Sequence, residues 1–335
     1  MTKRCSVSVS AASFTLIFTL ALTIGLAACG TRAQEAAGGQ FAADTGRADT
    51  VGGRQPSGAR LVAVIGGFDT PESVRYDPDQ DVFFISDMTG YGSDKDNNGL
   101  IAKVSAADPR QGGAFVRGGQ GGVTLHSPKG MAIHGDTLWV ADIDALRGFD
   151  RHSGASLATI DLAPQHAVLL NDVAVGPDGT IRVTDSGILM TEKGILKVGG
   201  DKIFVIGPNH AVSVLAAGPQ LGTPNGITWD SSARRWILVN FDRFTSHVFA
   251  MPERDTARTV LATGNGKFDG VEPLGGGRLL YSSWSDSSIH LLANGRDRRI
   301  IRNLPNPADI GLDTRRHRVA VPISGGGEVE LWELP

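Results

Sequence analysis

Six short segments of the chain share one pattern: an opening residue, then a small residue or Asp, then alternating apolar positions. The opening residues are Glu72, Lys129, Asn171, Asn225, Asp269 and Ala308. Four of them carry a carboxylate or amide oxygen, which the start of a hydrophobic strand does not need. If these four side chains converge, two carboxylates and two amides can bind a hard divalent cation, which prefers six or more oxygen ligands, with water completing the set.

The spacing of the opening residues indicates the fold that must position them. They follow one another at intervals of 57, 42, 54, 44 and 39 residues, and repeats of this length are typical of solenoids, propellers or arrays. A second apolar strand follows each one after a turn rich in Pro, Asp or Gly. Gly or Pro interrupts helical periodicity nearly everywhere past the N-terminal segment. The pattern predicts an all-β, six-bladed β-propeller; a β-sandwich is the rival fold, but it leaves six equivalent positions unexplained.

Later strands of the blades are predicted at residues 148–150, 195–198, 246–250, 289–292 and 328–334. Residues 60–65 form a further strand, which we expect to close the ring by pairing with 328–334. Asp87, Asp142 and Asp185 recur at the ends of second strands, a repetition that favours interblade hydrogen bonding over catalysis. We expect the five tryptophans to lie in the interblade core: Trp139, Trp229, Trp236, Trp284 and Trp332.

The N-terminal part of the chain looks like a targeting segment. Residues 1–28 combine a positively charged start, an apolar stretch short for a bilayer span and small residues, as secretory signal peptides do. The sequence Leu-Ala-Ala-Cys at 26–29 resembles the bacterial lipobox, which implies a lipidated Cys29; an ordinary cleaved signal with a chance Cys is the alternative. Residues 29–59 are predicted to be a flexible tether, and 60–335 the propeller. This predicts a bacterial envelope lipoprotein facing the periplasm, in the outer membrane if the bacterium is Gram-negative.

In a propeller the first strand of each blade lines the central channel, so its opening residue faces the channel mouth. We therefore expect Glu72, Asn171, Asn225 and Asp269 to hold one divalent ion, with Ca²⁺ the best match to oxygen ligands. No His or Cys occupies these positions, as zinc would favour. The alternative is that Asn and Asp only cap turns at strand starts. Beside the ion, we expect Asp172 and Tyr91 to be substrate contacts, with Tyr91 overhanging the mouth. Asp172, next to Asn171, could instead assist the metal or the turn.

These segments resemble the senescence-marker-protein, gluconolactonase and luciferin-regenerating-enzyme family, with paraoxonases and diisopropylfluorophosphatase as relatives, over about residues 60–335. The matching features are Glu72 after Pro71, Asn171 before Asp172, Asn225-Gly226 after Pro224, and Asp269-Gly270. The resemblance implies that these Glu, Asn and Asp residues hold a catalytic divalent metal, and that the activity is hydrolysis of lactones or phosphotriesters. Two positions depart from the family. Leu169 replaces an Arg typical of sugar-lactone members, and Lys129 replaces a His of paraoxonase-like members.

The resulting hypothesis is metal-assisted hydrolysis of a small lactone or related ester, with Asp269 as general base or nucleophile. Lys129 could act as a base, as a fixed positive charge for the substrate or oxyanion, or as a cation that neutralises the carboxylates and displaces the metal. The alternative function is a non-catalytic propeller that binds a small molecule or protein in the envelope. The net charge of −3 without a basic patch argues against nucleic acid as a partner. We expect a monomer whose membrane contact is the lipid on Cys29.

Overall fold

A computed structural model of the protein describes residues 41–44 and 55–335. The predicted signal peptide, Cys29 and most of the predicted tether lie outside these residues. Nearly all regular structure in the described part is β-strand; its helices are three short 3₁₀ segments, Ala163–Gln165, Pro208–His210 and Pro219–Leu221. None of the described helices is long and apolar enough to cross a membrane.

The strands form the predicted six-bladed β-propeller, in which each blade is an antiparallel meander. The first blade contains β3 (Pro71–Asp77), β4 (Val82–Asp87), β5 (Leu100–Ser105) and β6 (Gly112–Arg117). The second contains β7 (Pro128–His134), β8 (Thr137–Asp142), β9 (Ala145–Asp150) and β10 (Ser156–Asp161). The third contains β11 (Leu170–Val175), β12 (Ile181–Asp185), β15 (Lys202–Ile206) and β16 (Val212–Ala217).

The remaining blades follow the same plan. The fourth contains β17 (Pro224–Asp230), β18 (Arg235–Asn240), β19 (Ser246–Pro252) and β20 (Thr259–Gly264). The fifth contains β21 (Phe268–Gly275), β22 (Arg278–Ser283), β23 (Ser288–Ala293) and β24 (Arg296–Arg302). The sixth contains β25 (Gly311–Asp313), β26 (Arg318–Ile323), β27 (Glu328–Glu333) and, from the start of the fold, β2 (Arg60–Gly66).

The ring closes as the sequence predicts, because β2 pairs antiparallel with β27, from Arg60 opposite Glu333 to Gly66 opposite Glu328. One strand falls inside the predicted tether. Strand β1 (Ala42–Asp44) pairs with the outer edge of β2, and the Phe41 ring stacks on Phe68 with 4.5 Å between centroids. A single buried aromatic side chain therefore extends the sixth blade into a segment whose composition predicts a tether.

The apolar core lies between blades rather than in one central cluster. Each pair of neighbouring blades encloses its own group of buried side chains, such as Phe84, Met131 and Phe149 between the first and second blades. Four of the five tryptophans occupy such positions, as predicted: Trp139, Trp229, Trp236 and Trp332. Trp284 does not. It follows β22 and lines a cavity at the channel mouth.

Glycine follows three of the opening residues, and the structure shows a steric reason for it, as at Gly226 and Gly270. A Cβ on Gly226 would lie 2.4 Å from the carbonyl oxygen of Asp269 in the next blade, and one on Gly270 would lie 2.5 Å from the backbone nitrogen of Ile310. Both distances are far below a normal contact. At these two junctions the inner strands can therefore approach this closely only because Gly226 and Gly270 lack a side chain.

The third blade departs from the prediction. Residues 195–198 are not a strand of the blade itself; β13 (Ile188–Thr191) and β14 (Gly194–Lys197) form a separate two-stranded hairpin between β12 and β15. The apolar run at 195–198 resembles a core strand, yet Ile195, Leu196 and Val198 are exposed. The true third strand is β15, whose Ile203 and Phe204 are fully buried.

Candidate metal centre

Five of the six opening residues occupy the same place, the second position of the first strand of a blade. In each of these blades the hydrogen-bonding register between the first two strands shifts at this position, for example between Pro71 and Ser73 or between Pro224 and Ile227. The other three shifts include Lys129, Asn171 and Asp269. A β-bulge bends the strand and redirects its side chains. The bulges therefore explain how polar side chains can lie at the start of strands that are otherwise apolar.

Carboxylates at the ends of second strands hold the segments that lead into these bulges. Asp87 accepts hydrogen bonds from the backbone N–H groups of Asp69 and Thr70 at 2.9 and 2.8 Å. Asp142 and Asp185 bind the equivalent N–H groups before Lys129 and Asn171. The donors lie outside the strands, in the segments that connect one blade to the next, so the repeated Asp has a structural rather than a catalytic role.

The four predicted ligands line one small cavity at the channel mouth. Glu72, Asn171, Asn225 and Asp269 all contribute to its wall, and its volume is about 20 Å³. A cavity needs about 10–15 Å³ to hold one water molecule, so this one has room for a single water-sized particle. The other opening residues, Lys129 and Ala308, are absent from its lining.

Each of the four side chains presents an oxygen that no hydrogen bond satisfies. The unpartnered atoms are Glu72 Oε2, Asn171 Oδ1, Asn225 Oδ1 and Asp269 Oδ1. Buried polar atoms are almost always hydrogen-bonded, and each orphan costs about 1–3 kcal/mol. Four unpartnered oxygens around one cavity are the kind of donor set that a hard cation prefers. Among the described residues no three or more His, Cys, Asp and Glu side chains form a metal-binding group; here two amides complete the set.

Burial sets the electrostatics of the cavity. Desolvation raises the pKa of Glu72 and of Asp269 well above their ordinary values, and the positive charge of Lys129 opposes both shifts. The Trp284 indole also lowers the pKa of Asp269, although its N–H forms no hydrogen bond of normal geometry. Because burial penalises the charged carboxylates, a bound cation would stabilise their ionised forms.

Lys129 lies beside the cavity rather than in it. Its side chain is fully buried; its Nζ contacts Met88 Sδ at 2.6 Å and Ser127 Oγ at 3.5 Å. In the described part of the chain, no carboxylate oxygen lies within 4.0 Å of this Nζ. Burial lowers the pKa of Lys129, while Glu72, Asp142 and Asp269 act in the opposite direction. The ammonium group therefore does not fill the place among the four oxygens.

The cover of the cavity, which is apolar except for Ser324, contains site residues that the sequence analysis missed. Met88, Phe241, Trp284 and Ser324 line it, and each directly follows the second strand of its blade. That shared position is the sequence signal that could have identified them. The other covering side chains, Ile188, Met190 and Ile195, come from the β13–β14 hairpin, whose position in the fold the sequence does not reveal.

The two predicted substrate contacts at Asp172 and Tyr91 have different surroundings. Asp172 is buried; its Oδ2 accepts the backbone N–H of Ile227 at 2.7 Å and its Oδ1 that of Val173 at 2.7 Å. Asp172 therefore has a structural role, linking two blades, and does not line the cavity. Tyr91 is half exposed in the loop between β4 and β5, whose Ser93 is hydrogen-bonded to Met190 of the hairpin.

A second, larger cavity adjoins the metal-sized one. Its volume is about 790 Å³, and it shares Ile188, Ile195 and Phe241 with the smaller cavity. We call it the mouth cavity. The hairpin and Phe241 therefore separate a space large enough for a small organic molecule from the four unpartnered oxygens.

The fold and the site define a six-bladed propeller with an oxygen-lined cavity at the mouth of its channel. The chain belongs to the SMP-30/gluconolactonase/LRE-like family, whose model matches residues 64–309 and so includes all four cavity oxygens. No curated protein matches the sequence.

Solved structures with this fold are similar at low sequence identity. A gluconolactonase from Xanthomonas campestris is 16% identical, with a TM-score of 0.61 over 85% of this chain and 93% of that one. A luciferin-regenerating enzyme is 11% identical, with a TM-score of 0.60 over 80% and 91%. The calcium-binding protein regucalcin from Agrobacterium tumefaciens is 14% identical, with a TM-score of 0.57 over 80% and 90%. These similarities establish the fold, and the family supports a lactonase-like propeller.

Proposed function

We propose that this protein is a metal-dependent hydrolase of lactones or related esters, whose divalent ion is held by Glu72, Asn171, Asn225 and Asp269. The observation that carries the proposal is the set of four unpartnered oxygens on one cavity with room for a single small particle. Oxygen-only donors favour Ca²⁺ over zinc. The description of the Agrobacterium neighbour as calcium-binding agrees with this choice.

When bound, a divalent ion supplies polarisation of the ester carbonyl and stabilisation of the developing oxyanion. With Asp269 Oδ1 on the ion, the second carboxylate oxygen of Asp269 would accept a proton from the attacking water or attack the carbonyl itself. Lys129 holds a positive charge close enough to influence Glu72 and Asp269. Because its Nζ is not among the cavity oxygens, we assign it the role of a fixed charge. Met88, Phe241 and Trp284 exclude bulk water from the cavity.

The test is an assay of hydrolysis across a panel of lactones and esters, in which the release of acid is measured. The protein is first treated with a chelator, and Ca²⁺, Mn²⁺ or Zn²⁺ is then added. We expect turnover only with added metal, and loss of both metal binding and turnover in Asp269→Ala. Asp178→Ala is the matched control, because Asp178 is an exposed carboxylate in the turn between β11 and β12. Turnover that persists in Asp269→Ala would contradict the proposal.

The second candidate is a binding propeller without chemistry. The closed cover over the four oxygens favours it, because a substrate cannot reach a cavity of about 20 Å³ in this conformation. Ligand stabilisation of the fold without metal and without turnover, across the same panel, would support the binder over the enzyme.

We also propose that the enzyme acts at the bacterial envelope, held by a lipid on Cys29. The lipobox-like residues 26–29 support this. Detergent phase partition of the full-length chain and of Cys29→Ala tests it: the first should enter the detergent phase and the second should not. Equal partition of the two would remove the lipid from the proposal.

A further inference from the structure

The mouth cavity carries information about the substrate. We infer that the mouth cavity binds the non-reacting part of an ester or lactone that has a hydrocarbon body and a carboxylate. This inference rests on the hydrolase function proposed above. The arguments are the position of the cavity, its exposed apolar side chains and its two unpaired cations.

Position connects the mouth cavity to the chemistry. Ile188, Ile195 and Phe241 form a wall common to it and to the oxygen-lined cavity. A ligand in the mouth cavity would therefore lie one side-chain layer from the proposed ion. Its volume of about 790 Å³ falls in the range of small-molecule sites.

The mouth cavity exposes large apolar side chains that a soluble surface usually covers. Ile195 is 42% exposed, Leu196 59% and Phe244 72%, and all three line it. Beneath the hairpin, Leu169 packs with Ile143 and Ile188. An exposed apolar group that lines a concave surface indicates a ligand with apolar surface to bury.

Two cations at the mouth cavity have no acidic partner. Arg243 and Lys267 line it, and within residues 41–44 and 55–335 neither forms an ion pair within 4.0 Å. Of the two other charges there, Lys197 pairs with Asp201, and Asp242 accepts the N–H groups of Phe244 and Thr245 at 2.8 and 3.0 Å. Asp242 likewise forms no ion pair in the described part of the chain, so two positive charges and one negative charge at the mouth cavity lack an ionic partner. Their sum is positive, which suits a carboxylate on the ligand.

The same lining argues against a sugar lactone. Among the described residues that line the mouth cavity, Thr223 is the one uncharged polar side chain. A polyhydroxylated ring needs several hydrogen-bonding partners, because each hydroxyl buried without one is penalised. Leu169, at the position where sugar-lactone members carry Arg, is fully buried and apolar. Its polar partners for hydroxyl groups are Thr223 and four charged side chains, and its other side chains are apolar, so the mouth cavity favours a ligand with a hydrocarbon body.

The test measures binding, so that it stands apart from turnover. Isothermal titration of the metal-loaded protein compares octanoate, 1-octanol and gluconate, together with a butanoate-to-decanoate series. We expect octanoate to bind, gluconate not to bind, and affinity to rise up to about fourfold per methylene until the cavity is filled. Gluconate binding as tightly as octanoate would overturn the inference.

Variants assign the two parts of the site. Arg243→Gln combined with Lys267→Gln should weaken octanoate about tenfold and leave octanol within about twofold; Phe244→Ser should weaken both ligands. Arg296→Gln combined with Arg298→Gln, on the exposed outer strand β24, is the matched charge control and should change neither. Octanoate affinity unaltered in both site variants would also overturn the inference. If octanoate binds as expected while no ester or lactone is hydrolysed, the proposed hydrolase fails and the binding site stands.

Discussion

Asp172 and Ile227 join the strands that carry two of the proposed metal ligands. Asp172 Oδ2 accepts the backbone N–H of Ile227 at 2.7 Å, one residue after Asn171 on β11 and two residues after Asn225 on β17. Thr184 reinforces this junction by donating its hydroxyl to the carbonyl oxygen of Asn225 at 2.7 Å. The distance between the two amide ligands is therefore set by hydrogen bonds just behind them.

Removal of the Asp172 carboxylate should weaken both the fold and the metal site. Asp172→Ala leaves the buried N–H of Ile227 unpaired, so we expect a loss of about 1–3 kcal/mol in the free energy of unfolding. Since residues that orient ligands typically contribute 10–100-fold, metal affinity should fall by roughly tenfold or more. Urea unfolding and metal titration measure the two effects. Asp172→Asn keeps an acceptor and should lose less; an Ala variant as stable as the parent would refute this account.

Lys129 should oppose metal binding through its charge. Lys129→Met removes a buried positive charge near Glu72 and Asp269 while keeping much of the volume, so metal affinity should rise roughly tenfold. Lys95→Met, at an exposed lysine paired with Asp144, is the control and should leave affinity unchanged. Turnover should fall in Lys129→Met, because the fixed charge is lost. Weaker metal binding in Lys129→Met would contradict the assignment.

Access to the oxygens should require the hairpin to move. Ser93 and Met190 are linked twice, by the Ser93 N–H to the Met190 carbonyl oxygen at 3.2 Å and by the Met190 N–H to Ser93 Oγ at 2.8 Å. In a background with Cys5→Ala and Cys29→Ala, Ser93→Cys combined with Met190→Cys puts one cysteine on each side of this backbone contact. We expect oxidation to abolish turnover and reduction to restore it, with the reduced form of the same variant as the control. Full activity of the cross-linked protein would show that the hairpin need not open.

His290 should make stability depend on pH through its two carboxylate partners. Its Nε2 lies 2.9 Å from Asp286 Oδ2 and its Nδ1 3.0 Å from Asp297 Oδ1. Burial lowers the pKa of His290, but hydrogen bonds to Asp286 and Asp297 outweigh burial and raise it above 6.5. Burial raises the pKa of Asp286, yet contact with His290 brings it to about 2.

The sign of the effect follows from linkage. The contribution of His290 to the free energy of unfolding is complete below pH 6.5 and is lost as pH rises through its raised pKa. The contribution of Asp286 is complete above pH 3.8 and is lost as pH falls toward its pKa of about 2. His290→Gln should therefore cost about 1–3 kcal/mol near pH 5 and less at pH 9. Urea unfolding at both values measures this, and the exposed His152→Gln should change stability little. An equal loss at both pH values would contradict the ion-pair account.

The ring was predictable because repetition and polarity coincide. An oxygen-bearing residue in front of an apolar strand, repeated at intervals of roughly 40–60 residues, has no simple structural need in four blades at once. In two of these blades a glycine follows it, because Gly226 and Gly270 approach the next blade closely. Each repeat of the pattern is a short run of consecutive residues, so the pattern and its spacing can be recognised in the sequence without coordinates.

The cover of the site was not predictable in the same way. Ile195 and Leu196 have the composition of a core strand but are exposed on the hairpin, and nothing local distinguishes an apolar run that faces a ligand space from one that faces a neighbouring blade. Trp284 was assigned to the core for the same reason, although it lines the cavity. Trp284 directly follows a second strand, whereas Trp139 lies within one, β8. This difference becomes visible in the sequence only when the six repeats are aligned with one another.

The most direct test of the central claim is an anomalous-scattering map from crystals grown with Mn²⁺, which also prefers oxygen ligands. We predict one strong peak at the channel mouth, about 2.0–2.6 Å from Glu72 Oε2, Asn171 Oδ1, Asn225 Oδ1 and Asp269 Oδ1. A map with no peak there, or with the four oxygens bound to other side chains instead of to an ion, would contradict the account.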